Sequence, residues 1–576
     1  MQDGASEKME QMCPLPPGAR ERGVLSTSLP SPLSPLSSFL ILNALALAIA
    51  AVFLRCRALG TIPGFNGDEA WYGIRAWQIL HGGGQGWNTP TGNPLNPLFV
   101  GPLALLHLWM PPSLVLPRVV ALASGMAALA INWLFCRWIF DRRTAAISTV
   151  MLAVLPINIA FSRFAWDAGQ SLAATLPVVY LALAAVRFPE RFGRWIAASI
   201  LAQAVAVWVH PTNVFVGAAI AVACAARIWP GGMSKKKTQG SDKTWSLSLL
   251  VLAGILSAAW LWFACGEKES VWERVAWHWG DVRNPAQMTY LYPRLFTGGT
   301  VYCDVAGSRS WIDGRGIDVG LFWACVFGSA WLIWINRGRF RDDNRLRFRI
   351  CDGVLLAAWA TSLAAFVLVA GHGAMVPGQE RFAVCLIAPT VLLVARGGAL
   401  AWQMASPRWR IVLAAATLAG WPLLADYYVH YFRFIEQTGG QAHMTFRAAP
   451  VEPKLAALRY ILDESARTGA GKTHSGELWI VSSQEWIRWP IRYLTIDEHG
   501  VRVPEPAEVR SSEEYRRALS EGGVWFVEFS GTEELRQVEK QLAGQRPTRQ
   551  EFLDFGRRPV ICVLHAETGS GDKFSH

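Results

Sequence analysis

Apolar stretches long enough to cross a bilayer recur along the whole 576-residue chain. A hydrocarbon core of about 30 Å needs about 20 apolar residues in helical form, and about eleven such runs can be marked. They lie at 38–57, 113–136, 143–162, 170–187, 193–209, 213–229, 245–265, 317–336, 350–371, 382–400 and 410–430. Apolar residues make up 52% of the chain and charged residues 17%, with mean hydropathy +0.24. Ionised groups this sparse cannot coat several soluble domains, which excludes a disordered chain and a nucleic-acid-coating protein. The expectation is a polytopic α-helical membrane protein whose solvent is lipid.

Loop charge sets the expected orientation. With the N-terminus cytoplasmic, alternate connections carry Arg137, Arg142 and Arg143; Arg187, Arg191 and Arg194; Arg227, Lys235, Lys236, Lys237 and Lys243; the arginines from Arg337 to Arg349; and Arg396, Arg408 and Arg410. The opposite short connections hold little beyond Arg75, Arg163 and Arg381. Lys and Arg resist translocation, so the asymmetry predicts this orientation and accounts for much of the +11 net charge without a nucleic-acid partner. The 28 Trp fit indole anchors at two interfaces. Ten Cys without a CxxC pair argue against a disulfide framework or zinc cage.

The chain then divides into a cytoplasmic Pro/Ser-rich tail (1–37), a transmembrane region (38–432) with long outer loops at 60–112 and 266–316, and an extracytoplasmic domain (433–576). The first apolar run reads as an uncleaved anchor, since no small-residue cleavage site with a basic flank precedes it. In the last region charge rises and apolar stretches shorten to strand length at Glu477 to Ser482, Gly523 to Phe529 and Val560 to His565. Helical patterns alternate with them at Pro453 to Arg467, Ser512 to Glu521 and Thr532 to Gly544, as in a small α/β domain.

Chemistry-bearing residues cluster on the outer side. Asp68 and Glu69 follow the first run, near the lipid interface, where low dielectric makes a carboxylate a stronger proton acceptor. The alternative is a capped interfacial helix, with Trp71, Arg75 and Ile79 at helical spacing. Arg163 and Asp167, four apart, end the third run; on one helical face they would form a plain ion pair, although an acid at this depth is costly and usually functional or paired. Arg381 opens the tenth run against the positive-inside rule and the helix dipole, which calls for an anionic partner: a lipid phosphate, or the neighbouring Glu380. His210, before Pro211, reads as a structural turn. His278 and Asp281 lie in an aromatic loop as sugar or acceptor contacts, or simply as solvated residues. No Walker A motif, dinucleotide fingerprint or HExxH is present.

Asp68-Glu69-Ala70-Trp71-Tyr72, the Asn93-Pro94 and Asn96-Pro97 pairs, Pro117-Arg118, Ser162-Arg163 to Asp167 and Glu380-Arg381-Phe382, placed on this topology, resemble the GT-C superfamily of polyprenyl-phosphate-dependent glycosyltransferases. The likeness is to the protein mannosyltransferase and aminoarabinose-transferase branch, over about the first 430 residues. The Lys-Pro-Pro of the aminoarabinose branch is missing, and no outer loop has Asp-x-Asp. The resemblance implies an inverting transfer from a polyprenyl-phosphate sugar to an extracytoplasmic protein, lipid or envelope glycan. Its site would use Asp68 and Glu69 as catalytic carboxylates, Asp68 being the base. Glu69 and Asp167 would orient the acceptor or hold a weak metal, Arg381 and Arg163 would clamp phosphate, and Tyr72, His210, His278 and Asp281 would face substrate. No cofactor is fixed, and a divalent cation, Mg or Mn, stays open. Two rivals remain. A secondary transporter would place its charges at the midplane and show repeated halves; a non-catalytic member of the same fold would bind lipid-linked glycans without turning them over.

Overall fold

The computed structural model describes residues 35–83, 88–89, 94–228, 284–299, 301–312, 316–336, 343–369, 380–440, 452–469, 471–544, 547–554 and 556–565. Among the described residues nine helices are long and apolar enough to cross a membrane: Pro35–Cys56, Leu116–Ile139, Ala168–Arg187, Pro189–Val209, Pro211–Ile228, Asp318–Asn336, Ile350–Leu368, Phe382–Met404 and Pro407–Thr438. Each overlies one of the expected runs. The run 245–265 falls outside the described residues.

The first six helices position the site: α1 (Pro35–Cys56), α2 (Gly67–Leu80), α3 (Pro97–His107), α4 (Leu116–Ile139), α5 (Arg142–Val154) and α6 (Pro156–Phe161). The run 143–162 is therefore two helices, which corrects the reading of one continuous span. Pro156 cannot donate to the ladder and holds Leu155 extended at φ −61° and ψ 122°. The break frees carbonyls at the end of α5, and the fully buried Arg55 of α1 donates to Ala153 O at 2.8 Å and Leu152 O at 3.5 Å. A guanidinium at a helix C-terminus satisfies both the orphan carbonyls and the macrodipole.

Burial separates an inner from an outer ring of helices. The apolar windows of Phe382–Met404 and Ala168–Arg187 are 89% and 72% buried, against 17% to 44% for the other seven. The outer helices expose Leu42, Ile49, Leu134, Phe327 and Trp331, a surface that lipid solvates and water would not. The chain is thus a multi-pass membrane protein. Arg396 donates to Asp352 at 2.7 and 3.0 Å and to Asp141 at 3.0 Å, tying three helices together.

The C-terminal region forms a five-stranded sheet of order β2-β1-β3-β5-β4. Its strands are β1 (Leu478–Val481), β2 (Val501–Arg502), β3 (Val524–Phe529), β4 (Thr548–Leu553) and β5 (Pro559–His565). β1 runs parallel to β2 and β3, while β5 is antiparallel to β3 and β4. The three apolar strands expected from the sequence form its centre. β2 is two residues long and β4 is a largely exposed edge, so neither carries a hydrophobic pattern to read.

Helix Glu485–Leu494, following β1, lies against α2. Its Trp486, Trp489 and Tyr493 recur at helical spacing, and Trp489 and Tyr493 pack with Phe65, Ala70 and Ile74. Two glycines of α2 permit the approach. A Cβ at Gly67 would stand 2.6 Å from the Trp486 ring, and one at Gly73 would overlap the Tyr493 ring. The sheet domain is thereby seated on the helix that begins with Asp68 and Glu69.

Candidate active site

Asn66 begins α2 in extended conformation, and its Oδ1 accepts the Asp68 N–H at 2.7 Å while Glu69 Oε2 accepts the Asn66 N–H at 3.0 Å. This is a capping box with Asn66 as the cap; Asp68 and Glu69 are acids of the first turn, where the macrodipole favours them. Successive helical residues diverge by about 100°, so the two carboxylates face different surroundings.

Glu69 turns inward and is fully buried. Arg118 of α4 donates from Nε to its Oε1 at 2.8 Å and from Nη2 to its Oε2 at 2.7 Å. The Ala165 N–H adds a bond to Oε1 at 3.0 Å, so with the Asn66 N–H the carboxylate accepts four. Arg118, also fully buried, donates further to the carbonyls of Leu59 (2.9 Å), Pro63 (3.0 Å) and Gly64 (3.3 Å). The expected role of Glu69 in catalysis, acceptor orientation or metal holding is corrected: its lone pairs are engaged, and it anchors α2 to α4.

Asp68 faces the other way and is half-buried. Its Oδ2 accepts the indole N–H of Trp166 at 2.7 Å, and Trp166 is held edge-on by Phe164 at 4.8 Å between centroids. The partner comes from the connection after α6.

Arg163 is not placed to clamp a phosphate. It is fully buried and donates to the carbonyls of Leu54 (2.6 Å), Arg55 (2.9 Å) and Ile62 (2.8 Å), with its guanidinium 4.5 Å from the Phe432 ring centroid. It holds the C-terminal end of α1, as Arg55 holds that of α5. Nor do Arg163 and Asp167 share a helix: α6 ends at Phe161, Trp166 is extended at φ −110° and ψ 146°, and Asp167 starts a separate 3-10 turn, Asp167–Gln170. Tyr72 is buried, its ring 5.0 Å from that of Phe99 in the packing between α2 and α3, which corrects its reading as a substrate-facing residue.

The turns expected to bear on the site do converge. Turn Asp167–Gln170 touches turn Glu380–Leu386, which contains Arg381, and the segment Pro211–Gly217 packs on that same turn. His210 donates or accepts at Nδ1 with Thr212 Oγ1 at 2.7 Å, and its ring stands 6.1 Å from Phe382, next to Arg381. Asp68 reaches this cluster through Trp166. His278 and Asp281 lie outside the described residues. Among the described residues no group of three or more His, Cys, Asp or Glu side chains is arranged to hold a metal ion.

Sequence reasoning left Arg118 and Trp166 without roles. A buried arginine at the outer end of a span, against the positive-inside rule, is a signal for Arg118. Nothing local marks Trp166 among so many tryptophans.

No family model matches the chain, and no curated protein matches it. Solved structures do show similarity. ArnT from Cupriavidus metallidurans in the apo state is 14% identical with TM-score 0.49, covering 92% of this chain and 98% of that one. The same protein bound to undecaprenyl phosphate is 14% identical with TM-score 0.46, covering 91% and 97%. The Archaeoglobus fulgidus oligosaccharyltransferase, in complex with Zn and sulfate, is 15% identical with TM-score 0.46, covering 84% and 68%. Both proteins are members of the GT-C superfamily. No residue's role is transferred from either.

Proposed function

We propose that this chain is an integral-membrane glycosyltransferase that moves a sugar from a polyprenyl-phosphate-linked donor to an extracytoplasmic acceptor. The observation that carries the reading is the division of labour between adjacent carboxylates. Glu69 is locked by two bonds from Arg118 and by the backbone N–H groups of Asn66 and Ala165, while Asp68 stands half-exposed with the Trp166 N–H on one oxygen. A lipid phosphate is a good leaving group, so the site needs chiefly a base and a cation, and no general acid.

In the proposed reaction the Asp68 carboxylate takes the proton of the acceptor hydroxyl. The acceptor oxygen forms its bond to the anomeric carbon as the bond from that carbon to the phosphate oxygen breaks. The electron pair leaves on the polyprenyl phosphate, and Arg381, carried by the turn beside Asp167–Gln170, receives that charge. A single displacement of this kind inverts the anomeric configuration. The N-terminus is cytoplasmic and the sheet domain extracytoplasmic, a reading supported by the distribution of Lys and Arg.

The test is transfer from a panel of radiolabelled polyprenyl-phosphate sugars in membranes with and without the chain, given a broad acceptor extract. Label appearing in acceptor only where the chain is present supports the reading. No transfer from any donor by folded protein contradicts it and favours a transporter or a glycan-binding protein.

A further inference from the structure

Helix α3 is apolar on both faces, and between Pro94 and Pro117 the chain has no Lys, Arg, Asp or Glu. One face packs inward: Phe99, Val100 and Leu103 are buried with Tyr72 and Ala76 of α2 and with Leu116 of α4. Among the described residues nothing covers the other face. Leu98, Leu105 and Leu108 are 49%, 55% and 56% exposed and Trp109, just past the helix end, 75%. Gly101 and Pro102, also exposed, fall between them at helical spacing, so the stripe runs the length of α3. On a water-facing loop a charge-free stripe of this kind would be an exposed hydrophobic patch, which marks a contact surface.

The position of α3 indicates what that surface meets. Its cap, Asn96, donates from Nδ2 to Gln170 Oε1 at 2.8 Å, in the first turn of the spanning helix Ala168–Arg187. Leu95 O, one residue earlier, accepts the indole N–H of Trp208 at 3.0 Å, next to the end of the spanning helix Pro189–Val209. At its other end residues 108–115 lead into α4, itself a spanning helix. Three spans thus reach one membrane surface where α3 lies. With 11 residues at 1.5 Å each, α3 is about 16 Å long, about half of a hydrocarbon core, and is no span itself. Trp208 and Val205, one turn apart, are exposed on the lipid-facing side of their helix, and Leu98 follows Leu95 by three residues, so the stripe begins beside an existing lipid face. Trp109 and Trp208 then stand at the level where indoles anchor helices to the interface.

We infer that α3 is inserted into the outer leaflet, with the stripe from Leu98 to Trp109 buried among lipid acyl chains, and that it anchors α2 at a fixed depth. The outer loop 60–112 is then part lipid-embedded and not wholly aqueous. A face without cations is held by burial of apolar area and not by attraction to anionic headgroups. Because α2 packs on α3 through Tyr72 and Ala76 and carries Asp68 in its first turn, the anchor sets the height of that acid relative to the lipid surface. The inference stands apart from the transferase reading, since it rests on the exposure and placement of α3 alone.

The experiment places the photo-cross-linker p-benzoylphenylalanine in the full chain at Leu105, at Trp109 and, as a control, at His474 of the sheet domain, both in phosphatidylcholine nanodiscs and in cell membranes. All three positions are exposed, so each protein should keep the melting temperature of the wild type. After irradiation, mass spectrometry should find phospholipid joined at Leu105 and at Trp109 and none at His474. Adding phosphatidylglycerol to the discs should leave the adduct yield within about twofold, because the stripe is uncharged. Cross-links at both positions to a second copy, to another protein or to another part of this chain in place of lipid overturn the inference. So does the absence of any lipid adduct at both positions in folded protein. A yield that rises severalfold with anionic lipid contradicts insertion and marks a headgroup contact instead.

Discussion

Asp68 and Glu69 are neighbours in the chain with opposite fates, and the difference is one of partners. Glu69 and Arg118 form a fully buried, bidentate pair, and removing one member leaves an uncompensated charge at a cost of about 3–5 kcal/mol. Arg118→Met should therefore lower the unfolding temperature sharply in nanodiscs, measured by tryptophan fluorescence, and Glu69→Gln less so because the amide keeps part of the bonding. The C-terminal domain offers a second buried acid. Glu528 on β3 accepts the Ser483 N–H at 2.7 Å and its hydroxyl at 2.9 Å, yet burial pushes its carboxyl up from 4.5 to about 7. The folded protein then binds more protons than the unfolded chain between these values, so stability should fall as pH rises from about 4.5 to about 7. Glu528→Gln should flatten that part of a melting-temperature profile against pH. The acids and a capped helix were legible in the sequence, with Asp68 read as the cap where Asn66 takes that place; their burial was not, because Arg118 and Trp166 arrive from 49 and 98 positions away.

At the scale of elements, two junctions shape the site. The first is the break between α5 and α6, where Arg55 and Arg163 cap two helix ends and leave the connection to Trp166 in a fixed place. Pro156 was visible in the sequence, but an apolar run hides a break when both pieces are equally apolar. The second junction is the seat of helix Glu485–Leu494 on α2. Gly73→Ala places a methyl group where the Tyr493 ring lies, and overpacking of this kind costs about 1–3 kcal/mol. The variant should show increased proteolysis at the domain junction with the transmembrane helices still inserted; a Gly73→Ala protein as resistant as the wild type would contradict the tight seat. Sequence reasoning assigned no helix to 485–494, and the apolar face made by Trp486, Trp489 and Tyr493 has its partner in α2, some 400 positions earlier in the chain.

For the whole molecule, apolar run length carried most of the helical architecture, because lipid imposes helix length and removes the alternatives. Nine of the expected runs coincide with spanning helices among the described residues, and the central position of Ala168–Arg187 and Phe382–Met404 is a packing fact that hydropathy does not encode. The proposed orientation puts the exposed His474 outside, so in a His474→Cys protein whose native cysteines are replaced by Ser an impermeant maleimide added to intact cells should label that position. Labelling only after lysis would reverse the topology. The central claim is that Asp68, and not its locked neighbour, takes the proton of the acceptor. Its most direct measurement is the single-turnover rate of sugar transfer at saturating donor and acceptor for Asp68→Asn, at equal amounts of folded protein. Loss of a positioned base should slow transfer by about 10²- to 10⁴-fold with donor binding retained. A rate within about threefold of the wild type would contradict it, since a positioned general base typically contributes about 10²- to 10⁴-fold.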